Sequence, residues 1–217
     1  MSYKGVIFDF NGTLFFDNDK HILAWGKISQ LIRGKGISDY ELHSRINGSP
    51  NKETISYFFE GKCSQEENDR YSLLKEEYYR DFCAQDRENF HLVAGANEFF
   101  DQLKDKSIPF TIASASIKPN IDFFVESFQL DKWIEPDTIV YDNGSYQNKI
   151  AMFKKAGEIL GVSLQDCLII EDSKSGIESA YASGCEQILV INSADKKDEY
   201  EKLPGVIGVI EDFTELE

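Results

Sequence analysis

Apolar and polar positions follow two different rhythms along the chain, and the clearest apolar run lies near the N-terminus. Val6–Phe8 is β-branched and aromatic, and Asp9 and then the turn-forming Asn11 and Gly12 follow it. This run predicts a buried strand that ends in a tight turn. The turn is either an ordinary one capped by its own side chains or a ligand site beyond a strand. In a ligand site Asp9 is a nucleophile or metal ligand, Gly12 allows close backbone approach, and Thr13 offers a hydroxyl.

The stretch from residue 17 to residue 85 has helical rather than strand periodicity. Apolar residues recur there at three- and four-residue spacing, which is typical of helices that bury one face. Ser38 is placed to cap one of these helices, and the turn Gly48–Pro50 to end it. The spacing predicts four helices, with apolar positions at His21, Ile22, Trp25, Ile28, Leu31 and Ile32, at Leu42 and Ile46, at Ile55, Phe58 and Phe59, and at Tyr71, Leu74, Tyr78 and Phe82.

From Val93 onward, strand and helix patterns alternate. Strands separated by helices of this length form right-handed crossover units, so we expect helices on both faces of a parallel sheet. The predicted fold class is α/β, a doubly wound parallel sheet formed by residues 1–16 and 86–217, with residues 17–85 inserted as a helical cap domain. The strands are predicted at Phe110–Ala113, Thr138–Tyr141, Cys167–Ile170 and Gln187–Ile191, with an edge strand in Val206–Glu217, and the helices at Ala96–Leu103, Asn120–Phe128, Ile150–Leu160 and Ser175–Ser183.

Composition and charge restrict the partners of the chain. It has 217 residues and a formal net charge of -15, which repels nucleic acids and anionic membranes, so a phosphorylated ligand needs a local positive group or a metal ion. Four widely spaced cysteines without a CxxC pair indicate reduced thiols. No signal-peptide pattern and no membrane-spanning apolar run are present. We therefore expect a cytoplasmic monomer that binds neither nucleic acid nor membrane.

Polar residues follow several of the predicted strands, and in a doubly wound sheet such strand ends converge on one crevice. Carboxylates that meet there without histidine or thiolate partners form a hard-oxygen site, which suits Mg²⁺ rather than zinc. A lysine at a helix start and a serine would hold the oxygens of a phosphate group. The residues are Asp9 and Asn11, then Ser114, Ala115 and Ser116, then Lys149, and finally Glu171 and Asp172.

In the order and type of these residues, the chain resembles the haloacid dehalogenase superfamily. The branch that it resembles has a helical cap after the first strand and includes β-phosphoglucomutase and many small phosphatases. The resemblance covers essentially the whole chain, through Asp9–Thr13, Ser114–Ser116, Lys149 and Glu171–Gly176. It implies that Asp9 attacks phosphorus to form an aspartyl-phosphate. It also implies the roles of the other residues: Mg²⁺ ligation by Asp9, the carbonyl of Asn11, Glu171 and Asp172, and phosphate binding by Gly12, Thr13, Ser114, Ala115 and Lys149.

Asn11 departs from the pattern of that family, which has a second aspartate two residues after the nucleophile as general acid and base. A carboxamide keeps the size and donates a hydrogen bond, but it cannot transfer a proton. A positioned acid or base typically contributes roughly 10² to 10⁴ in rate. Two explanations stay open: a substitution made to trap a substrate or intermediate, or a natural protein that is slow, specialised or inactive.

Lys149 is the second departure. Counted back from Leu160 and Gly161, the family spacing puts the lysine at Gln147, two residues earlier. Lys149 is the nearest lysine, and we expect it to reach the site and to act on the phosphoryl group through a slightly longer loop. The alternative is a solvated charge near a helix start.

Three residues of the predicted cap are candidates for the substrate side of the site. His21 and Trp25 match a His-x-x-x-Trp pattern of the β-phosphoglucomutase branch, and Arg45 begins a segment that resembles the crevice-facing segment there. An i, i+4 pair on a helix can equally be core packing. The mutase also needs a cap arginine for its second phosphate, but Asn51 and Lys52 stand in that region, which favours hydrolysis.

The sequence therefore predicts a Mg²⁺-dependent phosphatase for a small organic phosphate, with sugar phosphates as candidates, acting through an aspartyl-phosphate on Asp9. Because Asn11 occupies the acid/base position, two alternatives stay open. One is β-phosphoglucomutase-like phosphoryl transfer, and the other is a module that binds a phosphorylated metabolite without turnover.

Overall fold

The computed structural model describes residues 3–191 and 196–216, and the chain divides into two compact units. The core unit comprises Met1–Phe16 and His91–Glu217, and the helical unit comprises Asp17–Phe90. The sequence predicted a boundary after residue 85, whereas the helical unit extends to Phe90. Asp86 belongs to the helical unit because its carboxylate forms an ion pair with the buried Lys20 at 2.5 Å.

The helical unit contains the helices α1 (Asn18–Arg33), α2 (Asp39–Glu41), α3 (Asn51–Phe58) and α4 (Gln65–Gln85). The helix α1 ends at Gly34, which has a left-handed conformation. Ser38 caps α2, as predicted. The helix predicted through Leu42 and Ile46 instead continues as a π-helical turn, Leu42–Ile46. The apolar faces meet in one cluster, formed by Trp25, Ile28, Ile46, Ile55 and Phe58.

In its described part, the core unit contains a six-stranded parallel sheet with the order β3-β2-β1-β4-β5-β6. The strands are β1 (Gly5–Phe8), β2 (Phe110–Ile117), β3 (Val140–Asp142), β4 (Cys167–Glu171), β5 (Ile188–Ile191) and β6 (Val206–Ile210). β3 begins later than predicted because Pro136–Thr138 forms a 3₁₀ turn. The predicted parallel α/β sheet and its β6 edge strand are confirmed.

Alternate residues of the central strand β1 face opposite sides of the sheet. Ile7 joins a core that includes buried residues of α7 (Lys149–Leu160) and α8 (Lys174–Ser183). Phe8 contacts Phe99 and Phe100 of α5 (Ala96–Asp105) edge-on, at centroid distances of 6.0 and 5.2 Å, a geometry that aromatic pairs favour. The remaining helices are α6 (Lys118–Phe128) and the short α9 (Lys197–Tyr200). Helices therefore cover both faces of the sheet, as a doubly wound fold requires.

The cysteines are free thiols, as predicted: Cys63, Cys83, Cys167 and Cys185. Across the described residues, no helix combines the length and the apolarity that are needed to span a bilayer.

The position of Phe8 predicts a large contribution to stability. Phe8 is completely buried, whereas Phe16, the last residue of the N-terminal segment of the core unit, is 37% exposed. We expect Phe8→Ala to lower the free energy of unfolding of the core unit by about 3 to 5 kcal/mol, because it opens a cavity among aromatic rings. Phe16→Ala, the matched control, should cost less than about 1 kcal/mol. Chemical denaturation measures the free energy of unfolding of both variants. Equal losses would contradict the packing of Phe8 against Phe99 and Phe100.

Candidate active site

The strand order places a topological switch point between β1 and β4, because the chain builds the sheet outward on one side of β1 and then on the other. Ligands of open α/β sheets bind in the crevice at such a point. The backbone N–H of Asp9 donates to the carbonyl oxygen of Ile170 at 2.9 Å, which continues the pairing of β1 with β4 beyond Phe8. The nucleophile candidate Asp9 is thereby held beside Glu171, the last residue of β4.

Lys149 joins these two carboxylates. It is the first residue of α7, and its Nζ lies 2.7 Å from Oδ1 of Asp9 and forms a second ion pair with Oε1 of Glu171. The side chains of Asp9 and Glu171 are only 6% and 0% exposed. Gln147, where the family spacing puts the lysine, is exposed in the loop before α7. The structure therefore brings Lys149 into the site, because α7 starts at this residue.

The electrostatics of the three groups are coupled. Burial raises the pKa of Asp9 to about 7, with the ammonium of Lys149 opposing the rise and the carboxylate of Glu171 adding to it. Burial by itself would lower the pKa of Lys149, but the negative charges of Asp9 and Glu171 outweigh burial and raise this pKa above the ordinary lysine value. The ammonium group thus keeps its charge, while the negative charge of the carboxylates is only partly compensated.

Glu171 is further fixed by the loop between β4 and α8. Its Oε2 accepts hydrogen bonds from the backbone N–H groups of Asp172 and Ser173, at 3.0 and 3.1 Å, and from the hydroxyl of Ser173 at 3.1 Å. A Cβ atom at Gly176 would overlap the Glu171 carboxylate. The sequence reasoning assigned no role to Ser173 and Gly176, although Ser173 three residues before Gly176 is a recognisable helix N-cap, and it does cap α8.

A carboxylate cluster, defined here as Asp9, Glu171 and Asp172, has the composition of a metal site. Each residue places one carboxylate oxygen within 4.8 Å of the others. Counted over these described residues, three carboxylates and the one ammonium of Lys149 carry a formal charge of -2. A donor set of oxygens with two uncompensated negative charges fits a hard divalent cation such as Mg²⁺.

Gly12 allows the turn after β1 to pass close to this cluster. Its φ is +78°, and a Cβ atom there would overlap the carboxylate of Asp172. Its own N–H donates to the carbonyl of Phe15 at 2.7 Å, so this group is used inside the turn. Thr13 is completely buried, and its hydroxyl has no hydrogen-bond partner among the described residues. The hydroxyl that the sequence offered to a ligand therefore lies inside the protein rather than at its surface.

Asn11 is oriented by two serines of β2. Its Oδ1 accepts hydrogen bonds from the hydroxyl of Ser116 at 2.7 Å and from that of Ser114 at 3.3 Å. The N–H of Ser116 also donates to the Ser114 hydroxyl, at 3.2 Å. Ala115, between them, is exposed. The sequence placed all three residues at the crevice but assigned phosphate binding only to Ser114 and Ala115, whereas Ser116 makes the shorter contact with Asn11.

The three cap candidates lie in different surroundings within the helical unit. Trp25 is 5% exposed and packs edge-on against Phe58. For Trp25, this contact corresponds to core packing, the alternative to a role at the substrate. Arg45 is exposed in the π-helical turn. His21 accepts a hydrogen bond at Nδ1 from Lys75 at 2.7 Å, and its ring stacks on Tyr79 at 4.1 Å. All three residues belong to the helical unit.

Asn51 lies in the region where the mutase has a phosphate-binding arginine. It belongs to a polar network that the sequence did not predict. Its Nδ2 donates to Oε1 of Glu76 at 2.7 Å, and the same oxygen lies 2.9 Å from Nζ of Lys75. Both Glu76 and Lys75 are buried. The carboxylate of Glu76 offsets the charge of the Lys75 ammonium, so this pair offers no net positive charge to a second phosphate.

Comparisons with known proteins agree with this geometry. A sequence model of the family described as haloacid dehalogenase-like hydrolase matches residues 6–190. The chain is 26% identical over 190 residues to "Phosphorylated carbohydrates phosphatase" of Thermotoga maritima, covering 85% of this chain and 83% of that protein. It is 27% identical over 189 residues to "Beta-phosphoglucomutase" of Bacillus subtilis, covering 83% and 80%.

A solved structure extends the similarity to the whole chain. The chain is 33% identical to a HAD hydrolase, family IA, variant 3, from Entamoeba histolytica, with a TM-score of 0.90 and coverage of 98% of this chain and 94% of that one. The chain is therefore similar in sequence and in fold to a protein of that family over almost its whole length.

Two glycines test the close approach at the carboxylate cluster. Gly12 and Gly144 have φ values of +78° and +79°, but a Cβ atom meets Asp172 at the first and nothing within 4 Å at the second. An alanine at either position carries a backbone strain of roughly 1 to 2 kcal/mol. We expect Gly12→Ala to lose most of the Mg²⁺ affinity and Gly144→Ala to keep it. Calorimetric titration with Mg²⁺ measures both. Wild-type Mg²⁺ binding by Gly12→Ala would contradict the arrangement.

Proposed function

Because the chain belongs to the haloacid dehalogenase-like hydrolase family, we propose that it is a Mg²⁺-dependent phosphatase of small phosphorylated sugars, with Asp9 as the nucleophile. We assign catalysis to the core unit, residues 1–16 and 91–217, and substrate selection to the helical unit, residues 17–90. The free thiols support a cytoplasmic location.

The observation that carries the proposal is the partly compensated charge at the switch point. Asp9 and Glu171 share one buried lysine, and Asp172 completes a cluster with a formal charge of -2. A structural ion-pair network is normally balanced, because uncompensated buried charge costs several kcal/mol. Retaining this excess of negative charge in a crevice favours a site that binds a divalent cation and, with it, an anionic substrate.

In the reaction we propose, the carboxylate of Asp9 attacks the phosphorus atom of the substrate. The bond between phosphorus and the leaving oxygen breaks, and its electron pair goes to that oxygen, which yields an aspartyl-phosphate. Water then attacks phosphorus, and the electron pair of the bond to Asp9 returns to the carboxylate. Two displacements of this kind replace one difficult displacement.

The surrounding residues orient the reacting groups. Lys149, 2.7 Å from Asp9, keeps the attacking carboxylate in place and offers positive charge to the transferring phosphoryl group. Asp9, Glu171, Asp172 and the backbone carbonyl of Asn11 would hold Mg²⁺, which would neutralise charge on the phosphoryl group. Ser114 and Ser116 hold the carboxamide of Asn11 beside the reacting groups.

The helical unit favours hydrolysis over the mutase alternative. A mutase that moves phosphate between two hydroxyls must bind a second phosphate, whereas Asn51 is bonded to the buried carboxylate of Glu76. The relative named as a phosphatase of phosphorylated carbohydrates supports a sugar phosphate as substrate, and the relative named as a phosphoglucomutase keeps transfer as the second candidate.

Phosphate release from a panel of sugar phosphates tests the proposal. We expect release that requires Mg²⁺ and that falls at least roughly 10³-fold in Asp9→Asn, because the nucleophile is lost. Asp142→Asn, at an exposed carboxylate that ends β3, is the matched control and should keep wild-type activity. Release that survives in Asp9→Asn would refute the mechanism, and conversion of β-glucose 1-phosphate to glucose 6-phosphate without free phosphate would favour the mutase.

Lys149 provides a second, independent test. We expect Lys149→Met to lower kcat roughly 10² to 10³-fold, because a charge directed at the phosphoryl group is removed. Lys154→Met, on the exposed face of the same helix, removes the same charge away from the site. Steady-state kinetics should leave the Lys154 variant within about twofold of wild type. Similar losses in both variants would assign the effect to overall charge rather than to the site.

A further inference from the structure

Asn11 is held in one orientation, and the family resemblance implies the general acid and base at this position. Its Oδ1 accepts from the hydroxyls of Ser116 and Ser114, at 2.7 and 3.3 Å. Two hydroxyl donors on one amide oxygen make the opposite orientation of the carboxamide unfavourable. The NH₂ group is therefore turned away from the serines. This group donates hydrogen bonds to an oxygen but does not give up a proton to it.

The titratable groups next to Asp9 in the core unit already have other interactions or proposed roles. In the described part of that unit, these groups are Lys149, Glu171 and Asp172. Lys149 is ion-paired with two carboxylates, and Glu171 is completely buried and bonded to the loop before α8. Asp172 belongs to the carboxylate cluster. All four groups thus have a partner or a proposed role other than protonation of the leaving oxygen.

Building on the proposed function, we propose that this enzyme acts on phosphates whose leaving oxygen is stable as an anion. In the first step the carboxylate of Asp9 bonds to phosphorus, and the leaving oxygen departs with the electron pair and without a proton. A sugar phosphate dianion and Asp9 thus give an alkoxide-type anion and the aspartyl-phosphate dianion. The substrate class is phosphate on an acidic oxygen, which among sugar positions is the anomeric oxygen rather than a primary hydroxyl.

The second step has a corresponding consequence. Water attacks the aspartyl-phosphate without a side-chain base, the phosphorus–Asp9 bond breaks, and the phosphate product keeps both protons of the water as dihydrogen phosphate. Atoms and charge balance without a further reactant. Because a positioned base normally accelerates this step by roughly 10² to 10⁴, the aspartyl-phosphate accumulates whenever the first step is fast.

Three substrates distinguish leaving oxygens of decreasing acidity: 4-nitrophenyl phosphate, β-glucose 1-phosphate and glucose 6-phosphate. For each, kcat/KM is measured with Mg²⁺ for wild type and for Asn11→Asp, and the ratio of the two values cancels differences in substrate binding. We expect Asn11→Asp to raise hydrolysis of glucose 6-phosphate roughly 10² to 10⁴-fold and that of 4-nitrophenyl phosphate less than tenfold. The ratio for β-glucose 1-phosphate should lie between these.

A measurement on the wild-type chain alone does not depend on any variant. Rapid mixing with 4-nitrophenyl phosphate should release about one equivalent of 4-nitrophenol per enzyme in a burst, followed by slow turnover. A series of aryl phosphates with less acidic phenols should react progressively more slowly.

The outcomes separate this inference from the proposed function. Equal ratios for the three substrates, or a wild-type enzyme that hydrolyses glucose 6-phosphate as fast as the aryl ester, would overturn the inference and leave the phosphatase intact. The second result would indicate a proton donor outside the core unit. If neither wild type nor Asn11→Asp releases phosphate from any of the three, the proposed function fails and the inference with it.

Discussion

Compensation of buried negative charge at the carboxyl ends of β1 and β4 is the constraint on which the site depends. Asp9 and Glu171 lie almost without solvent contact, where an isolated carboxylate costs several kcal/mol. Lys149 offsets part of that cost, and the N–H groups of Asp172 and Ser173 offset another part. The start of α7 and the tight loop before α8 follow from this need, because each brings donors to the same two carboxylates.

Asn11 changes the chemistry of this site without changing its packing. An aspartate there would add one more negative charge to a cluster that already carries a formal charge of -2. The carboxamide keeps the shape and the hydrogen bonds to Ser114 and Ser116, and it leaves the charge balance as it is. Binding of metal and phosphate and formation of the aspartyl-phosphate are compatible with this residue, whereas proton transfer is not. Under the proposed mechanism, phosphate binding and proton transfer are thus separable through a single side chain.

Much of the fold was predictable, because its signals are local. The apolar run of β1, the helical spacing of α1 and the Ser38 cap each depend on neighbouring residues, and the structure confirms them. The position of Lys149 at the start of α7 was less evident, since family spacing favoured Gln147, which lies exposed in the loop. Ser116 and Gly176 stood in the recognised motifs, but their contacts were not predicted because the partners lie in other elements: Asn11 is 105 residues before Ser116, and Gly176 makes room for the side chain of Glu171.

By itself, the sequence determined which residues end the strands, where the inserted helical segment lies, and which side chains are chemically able to act. These features follow from periodicity and turn chemistry within a few residues. Only the tertiary structure decided that Lys149 meets Asp9, 140 residues away, that Thr13 is buried, and that Asn51 pairs with Glu76. The physical reason is that such contacts depend on strand register and helix packing, which are set by all the core residues together and not by the pattern around any one of them.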